Sequence, residues 1–168
     1  MFLKRFFPNY YYANVESIPY DIIKKENIQA VIFDLDNTLV DYKYNYSDKL
    51  KKWISDLQEQ NIKFCILSNT PRRKKLKKIA DIFDMSYISN ASKPHIKGFK
   101  KAMKILKTSK ENTVIIGDQL FTDVWGGNRF GIKTILVNPI AKHEWFITRI
   151  KRPIERKILK KYNKQISK

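Results

Sequence analysis

Residues 30–39 read Ala30-Val31-Ile32-Phe33-Asp34-Leu35-Asp36-Asn37-Thr38-Leu39, and the stretch changes character at its fifth position. The first four residues are apolar without polar alternation. Such a run predicts a strand covered on both faces, the kind that builds parallel sheets. The next five residues are a pair of carboxylates around a leucine, then an amide and a hydroxyl. In an open α/β sheet, ligand-handling groups sit in the loops beyond the carboxyl ends of the strands. The stretch therefore predicts both a fold and the places where further chemistry should lie.

The same strand character recurs at Lys63–Leu67, at residues 113–116 and at Lys133–Val137, with a weaker candidate at 87–89. Helical patterns separate them. Leu50, Trp53, Ile54 and Leu57 share one face behind Ser47, a good N-cap. Leu76, Ile79, Ala80 and Phe83 share another, which Pro71 is suited to open. A third helix is expected over Ile96–Leu106, and a fourth from about 122 to Phe130-Gly131. Strands alternating with helices predict a three-layer α/β fold with a mainly parallel sheet and right-handed crossovers. The 168 residues suit a single domain. Its core is expected at about 29–139, between an aromatic flank at 1–28 and a basic amphipathic helix at 143–168.

Chemistry-bearing residues follow the strands as this reading requires. Ser68-Asn69-Thr70 ends the second clear strand, Lys93-Pro94 precedes the third helix, and Gly117-Asp118-Gln119 ends a later strand with Asp123 close behind. Two carboxylates as close as Asp34 and Asp36 repel unless a cation sits between them. Asp118 on a neighbouring strand would complete a hard oxygen site suited to Mg²⁺. Lys93 adds a point charge and Ser68 a hydroxyl donor. That mixture suits a tetrahedral anion, with one carboxylate attacking phosphorus and the other handling a proton. Simpler readings exist: Asp after a strand is often only a turn residue, and Ser68-Asn69-Thr70-Pro71 also fits a helix cap. His95 and His143 are given no role.

Asp34-x-Asp36-x-Thr38, Ser68, Lys93 and Gly117-Asp118…Asp123 resemble, in order, the four motifs of the haloacid dehalogenase superfamily of phosphatases. Ser68-Asn69-Thr70 and the run from Gly117 to Asn128 are more specifically similar to the YqeG family of subfamily IIIA. The resemblance implies the superfamily's Rossmannoid fold and an aspartyl-phosphate mechanism. It makes Asp34 the nucleophile and Asp36 the general acid and base. Ser68 is implied to hold a phosphoryl oxygen, and Lys93 to neutralise nucleophile and phosphate. Thr38 and Asn69 come with the motifs as substrate-binding positions. Asp34, Asp118 and the Asp36 backbone carbonyl are implied Mg²⁺ ligands, and Asp123 supports the metal shell or Lys93.

The short intervals between motifs leave no room for an inserted cap domain. An open site suits a large substrate: a lipid headgroup, a nucleic-acid end or a phosphoprotein. The charge balance, 34 Lys+Arg against 16 Asp+Glu for a net +18, predicts attraction to polyanions. Phe2, Phe6, Phe7, Tyr10, Tyr11 and Tyr12 lie beside Lys4 and Arg5 near the start of the chain. Trp145, Phe146, Ile147, Ile150, Ile154, Ile158 and Leu159 lie among cations near its end, in a helix expected to break or restart at Pro153. These flanks suit either an anionic membrane surface or packing on the fold itself. YqeG proteins are similar to phosphatidylglycerophosphate phosphatases, so the resemblance favours a lipid phosphate; a nucleic-acid end phosphatase and a non-catalytic RNA partner are the alternatives. Tyr42, Tyr44 and Tyr46 suit either the site entrance or a packed loop. The single cysteine, Cys65, reads as a small buried hydrophobe. No apolar run approaches the ~20 residues that span a bilayer, and residues 1–8 lack the features of a secretory signal. A cytoplasmic protein is expected, with peripheral association at the membrane left open.

Overall fold

The computed structural model describes the backbone of residues 2–141 and 146–166, and the side chains of 3–141 and 153–165. His143 and Trp145 lie outside the described residues. Six strands form one sheet: β1 (Tyr10–Tyr12), β2 (Ala30–Phe33), β3 (Lys63–Leu67), β4 (Ser86–Ile88), β5 (Thr113–Gly117) and β6 (Lys133–Val137). Their order is β1-β6-β5-β2-β3-β4, and every pairing is parallel. The strand carrying Asp34 is thus central, with β5 on one side and β3 on the other.

Alternate residues of β2 feed opposite layers, as strand geometry demands. Val31 and Phe33 pack with Leu50, Trp53, Ile54 and Leu57 of α2 (Asp48–Gln58) and with Leu76, Ile79 and Ala80 of α3 (Arg73–Ile82). Ala30 and Ile32 pack with Cys65, Leu67 and the Phe99, Ala102 and Leu106 face of α4 (Ile96–Leu106). Burial pushes the Cys65 thiol up to about 12, so it behaves as an inert apolar filler.

Several local expectations are corrected. The three tyrosines of β1 form an edge strand beside β6, with Tyr10 opposite Ile135, although three residues are too few for a legible period. A short helix, α1 (Tyr20–Lys25), precedes β2 and has no signature long enough to read in the sequence. The helix after Pro71 starts only at Arg73, because Pro71 turns the chain and its carbonyl accepts from Arg73 N–H at 2.8 Å. The fourth helix begins early, as one π turn over Leu120–Val124, and continues as α5 (Trp125–Phe130) until Gly131 at φ +87°. The last helix, α6 (Phe146–Ile166), runs through Pro153 without a break.

Of the N-terminal aromatics, Phe6 and Phe7 turn inward. Phe6 joins Leu120, Val124, Leu136 and Ile158 in a third cluster, with its ring 5.2 Å from Phe121 and 5.5 Å from Trp125. Phe7 meets Tyr162 edge-on at 5.5 Å. Among the described side chains of α6, Glu155, Ile158 and Tyr162 form the buried stripe, while Arg156, Lys157, Lys160 and Lys161 face solvent. Of the loop tyrosines, Tyr44 and Tyr46 pack against the core and Tyr42 is exposed. Among the described residues no inserted domain separates the motifs, and no helix is long and apolar enough to cross a membrane.

Candidate active site

The chain leaves β2 at Asp34, whose N–H is still held by Ile116 of β5 at 3.0 Å. It then folds tightly: Thr38, Leu39 and Val40 all point their N–H groups at the Leu35 carbonyl. Asn37 takes a left-handed conformation at φ 63°, which Asn tolerates better than most residues. The turn aims Asp34 inward and leaves Asp36 at the rim. Asp34, Thr38, Ser68, Lys93, Asp118 and Asp123 are all buried, whereas Asp36 and Asn69 are exposed.

Lys93 is the hub. Its Nζ lies 2.6 Å from Asp34 Oδ1 and 2.7 Å from Asp123 Oδ1. Burial alone would lower its pKa, but the Asp123 and Asp34 carboxylates outweigh that and keep it firmly charged. The Asp34 carboxyl is raised chiefly by burial; Lys93 pulls it down, and Asp123 and Asp36 push it up. Asp36 is also raised by burial of its inner side, against the attraction of Lys93 and Arg72. Its outer side remains open to solvent, which limits that shift. A carboxyl so placed is suited to carrying a proton at the mouth of the site.

Asp34, Asp118 and Asp123 each offer a carboxylate oxygen within 4.8 Å of the others. The cluster brings three buried carboxylates together and pairs two of them, Asp34 and Asp123, with the Lys93 ammonium, an excess of negative charge that a hard cation would balance. The donor set is all oxygen, so it fits Mg²⁺ better than a soft metal. The Asp36 carboxylate is not part of this cluster.

Several neighbours serve geometry. Thr38 Oγ1 donates to Asp118 Oδ1 at 3.3 Å, so this hydroxyl steadies a carboxylate of the cluster. Both ends of the Asn69 amide clamp the Lys93 backbone: Oδ1 accepts from its N–H at 2.7 Å and Nδ2 donates to its carbonyl at 3.1 Å. Asn69 therefore holds Lys93 in place, a contact between two loops that sequence spacing does not reveal. Ser68 is buried at the β3 end, and its Oγ accepts from Thr70 N–H at 3.1 Å. Gly117 owes its identity to Asp123, because a Cβ there would collide with the Asp123 carboxylate. Asp123 also accepts from Gln119 N–H at 3.1 Å through its other oxygen, Oδ2.

Comparison with known proteins bears on the family of the chain. Residues 41–137 match the family model of haloacid dehalogenase-like hydrolases, a span that holds Ser68, Lys93, Asp118 and Asp123. The probable phosphatase YqeG of Bacillus subtilis is 42% identical over 159 residues, covering 94% of this chain and 92% of that protein. Among solved structures, an uncharacterized protein from Listeria monocytogenes superposes with a TM-score of 0.55 at 19% identity, over 80% of this chain and 99% of that one. The cobalt-bound deoxy-D-mannose-octulosonate 8-phosphate phosphatase of Haemophilus influenzae superposes with a TM-score of 0.52 at 18% identity, over 83% of this chain and 92% of that one.

Proposed function

Since the chain belongs to the haloacid dehalogenase-like hydrolases, as a phosphatase homologous to YqeG, we propose that it cleaves phosphomonoesters through a phosphate ester on Asp34. The observation that carries this reading is the convergence of Asp34, Asp118 and Asp123, two of which, Asp34 and Asp123, pair with the buried cation of Lys93. An Asp34 oxygen attacks phosphorus as the bond to the leaving alcohol breaks, and Asp36 gives that alcohol its proton. A water then attacks the acyl phosphate, Asp36 takes the water's proton, and inorganic phosphate leaves with Asp34 restored. Lys93 and Ser68 hold the phosphoryl oxygens throughout. Mg²⁺, held by Asp34, Asp118 and the Asp36 carbonyl with Asp123 in support, would supply positive charge opposite the charge developing on the phosphoryl group. Phosphate release is expected to vanish after exhaustive EDTA treatment and to return with Mg²⁺. Full activity in the metal-free protein would sink the metal-dependent reading.

The substrate we infer is a lipid phosphate such as phosphatidylglycerophosphate. Its support is the uncapped site, the resemblance to lipid phosphatases and the exposed cations of α6. The packing of Phe6 and Phe7 moves the weight of any membrane contact from the N-terminal aromatics to that cationic face. Each basic residue near an anionic bilayer contributes on the order of 1 kcal/mol, screened by salt. Charge reversal at Arg156, Lys157, Lys160 and Lys161 is expected to abolish co-sedimentation with phosphatidylglycerol vesicles at low salt. Hydrolysis of a small soluble ester is expected to survive in the same variant. Wild-type protein left wholly in the supernatant excludes membrane docking. A parallel phosphate-release screen over lipid phosphates, phosphorylated oligonucleotides and small esters separates lipid from nucleic-acid substrates.

A further inference from the structure

The buried stripe of α6 contains one residue that simple packing does not explain. Ile158 and Tyr162 bury apolar surface, but Glu155 on the same stripe is a carboxylate with 4% exposure. Burying a carboxylate is costly unless a specific donor meets it. One such donor is the Leu120 N–H, 2.9 Å from Glu155 Oε1. Leu120 opens the π turn after β5, where the first backbone N–H groups have no partner within the helix. A carboxylate there also faces the positive end of the helix. The turn is otherwise pinned by the cluster itself, since Gln119 N–H points at Asp123 Oδ2 and Asp123 N–H at the Gln119 carbonyl, 3.0 Å away.

Asp118 and Asp123 therefore sit on either side of a backbone amide held from the far end of the chain. The N-terminal segment grips the same region: Asn128 Nδ2 donates to the carbonyls of Arg5 and Phe7, both at 2.9 Å. Leu120 and Val124 share one apolar cluster with Phe6 and Ile158. We propose that Glu155 is a positioning residue of the metal centre, its carboxylate holding the turn that sets Asp118 and Asp123. The flanks thereby acquire a second use besides any contact with a membrane: they complete the rigid support of the carboxylates. Outer partners of this kind change metal affinity or activity by about 10- to 100-fold when removed.

The role of Glu155 rests on the metal-dependent reading of the site. Full-length, metal-free wild type, Glu155→Gln, Glu155→Asp and Glu155→Leu are titrated with Mg²⁺ in a calorimeter, and hydrogen exchange is followed at the Leu120 amide. Gln keeps the acceptor at full reach, so its Mg²⁺ dissociation constant is expected within about threefold of wild type, a neutral acceptor being roughly half as strong. Asp keeps the charge but is one methylene short, and Leu lacks both; each is expected to weaken Mg²⁺ binding by about 10-fold and to speed exchange at Leu120. A purely structural role would lower the unfolding temperature while the folded protein kept its Mg²⁺ affinity, and that outcome overturns the proposal. So does Asp matching wild type while Gln fails, since charge alone would then be at work. If the Asp and Leu proteins do not fold, the wild-type amide decides: exchange at Leu120 as fast as at an exposed amide overturns it, and slow exchange supports it. Wild type that binds no Mg²⁺ defeats the metal-dependent reading itself.

Discussion

Asp34→Asn is expected to lower turnover by at least about a thousandfold, the scale on which removal of a nucleophile acts in enzymes with covalent intermediates. The amide is nearly isosteric but carries no nucleophilic oxygen anion. Its fold should persist, because Lys93 keeps Asp123 at 2.7 Å and the crowding of carboxylates eases. Purified wild type and variant are compared for phosphate release with Mg²⁺ present, and thermal unfolding of both establishes that the variant is native. A folded Asp34→Asn protein with near-wild-type rates would exclude the covalent role. The substitution is informative because Asp34 lies at the end of the central strand and is buried, so no exposed side chain readily takes its place.

Most of the sheet, and the strand ends at which the candidate site residues meet, were legible because buried parallel strands are written as apolar runs. β2, β3, β5 and β6 each contain such a run, and the first three lead directly into Asp34, Ser68 and Asp118. The residues that escape such a reading are those whose roles depend on distant partners. β1 is three tyrosines that become a strand only because β6 offers an edge. Asn69 reads as a ligand-facing amide in sequence, yet the loop bearing Lys93 folds back and occupies both its ends. Glu155 is one charged residue in a highly charged helix; only the burial of its stripe against Leu120 sets it apart. The flanks illustrate the same limit, since an apolar helix face looks alike whether a bilayer or a neighbouring helix covers it.

Lys93→Met is expected to cost both activity and stability, and the second loss is the more discriminating. Met matches the length of the lysine stem but leaves Asp34 and Asp123 without the ammonium that pairs with them. Removing one partner from a buried ion pair typically costs about 3–5 kcal/mol, because the remaining charge stays desolvated and unpaired. For a chain of this size that corresponds to a fall in unfolding temperature of roughly 10 °C. The fall should be greatest in EDTA. Mg²⁺ binds the folded state and not the unfolded chain, so it stabilises by mass action, and a site stripped of its ammonium has more charge to offer it. The variant should therefore regain more stability on adding Mg²⁺ than wild type gains, while phosphate release remains absent because the phosphoryl oxygens have lost a positive partner. Unfolding scans of both proteins with EDTA and with excess Mg²⁺ test this. Equal unfolding temperatures in EDTA would mean that the carboxylates do not depend on Lys93 for compensation. Equal Mg²⁺ increments in the two proteins would mean that the metal does not share its site with the ammonium.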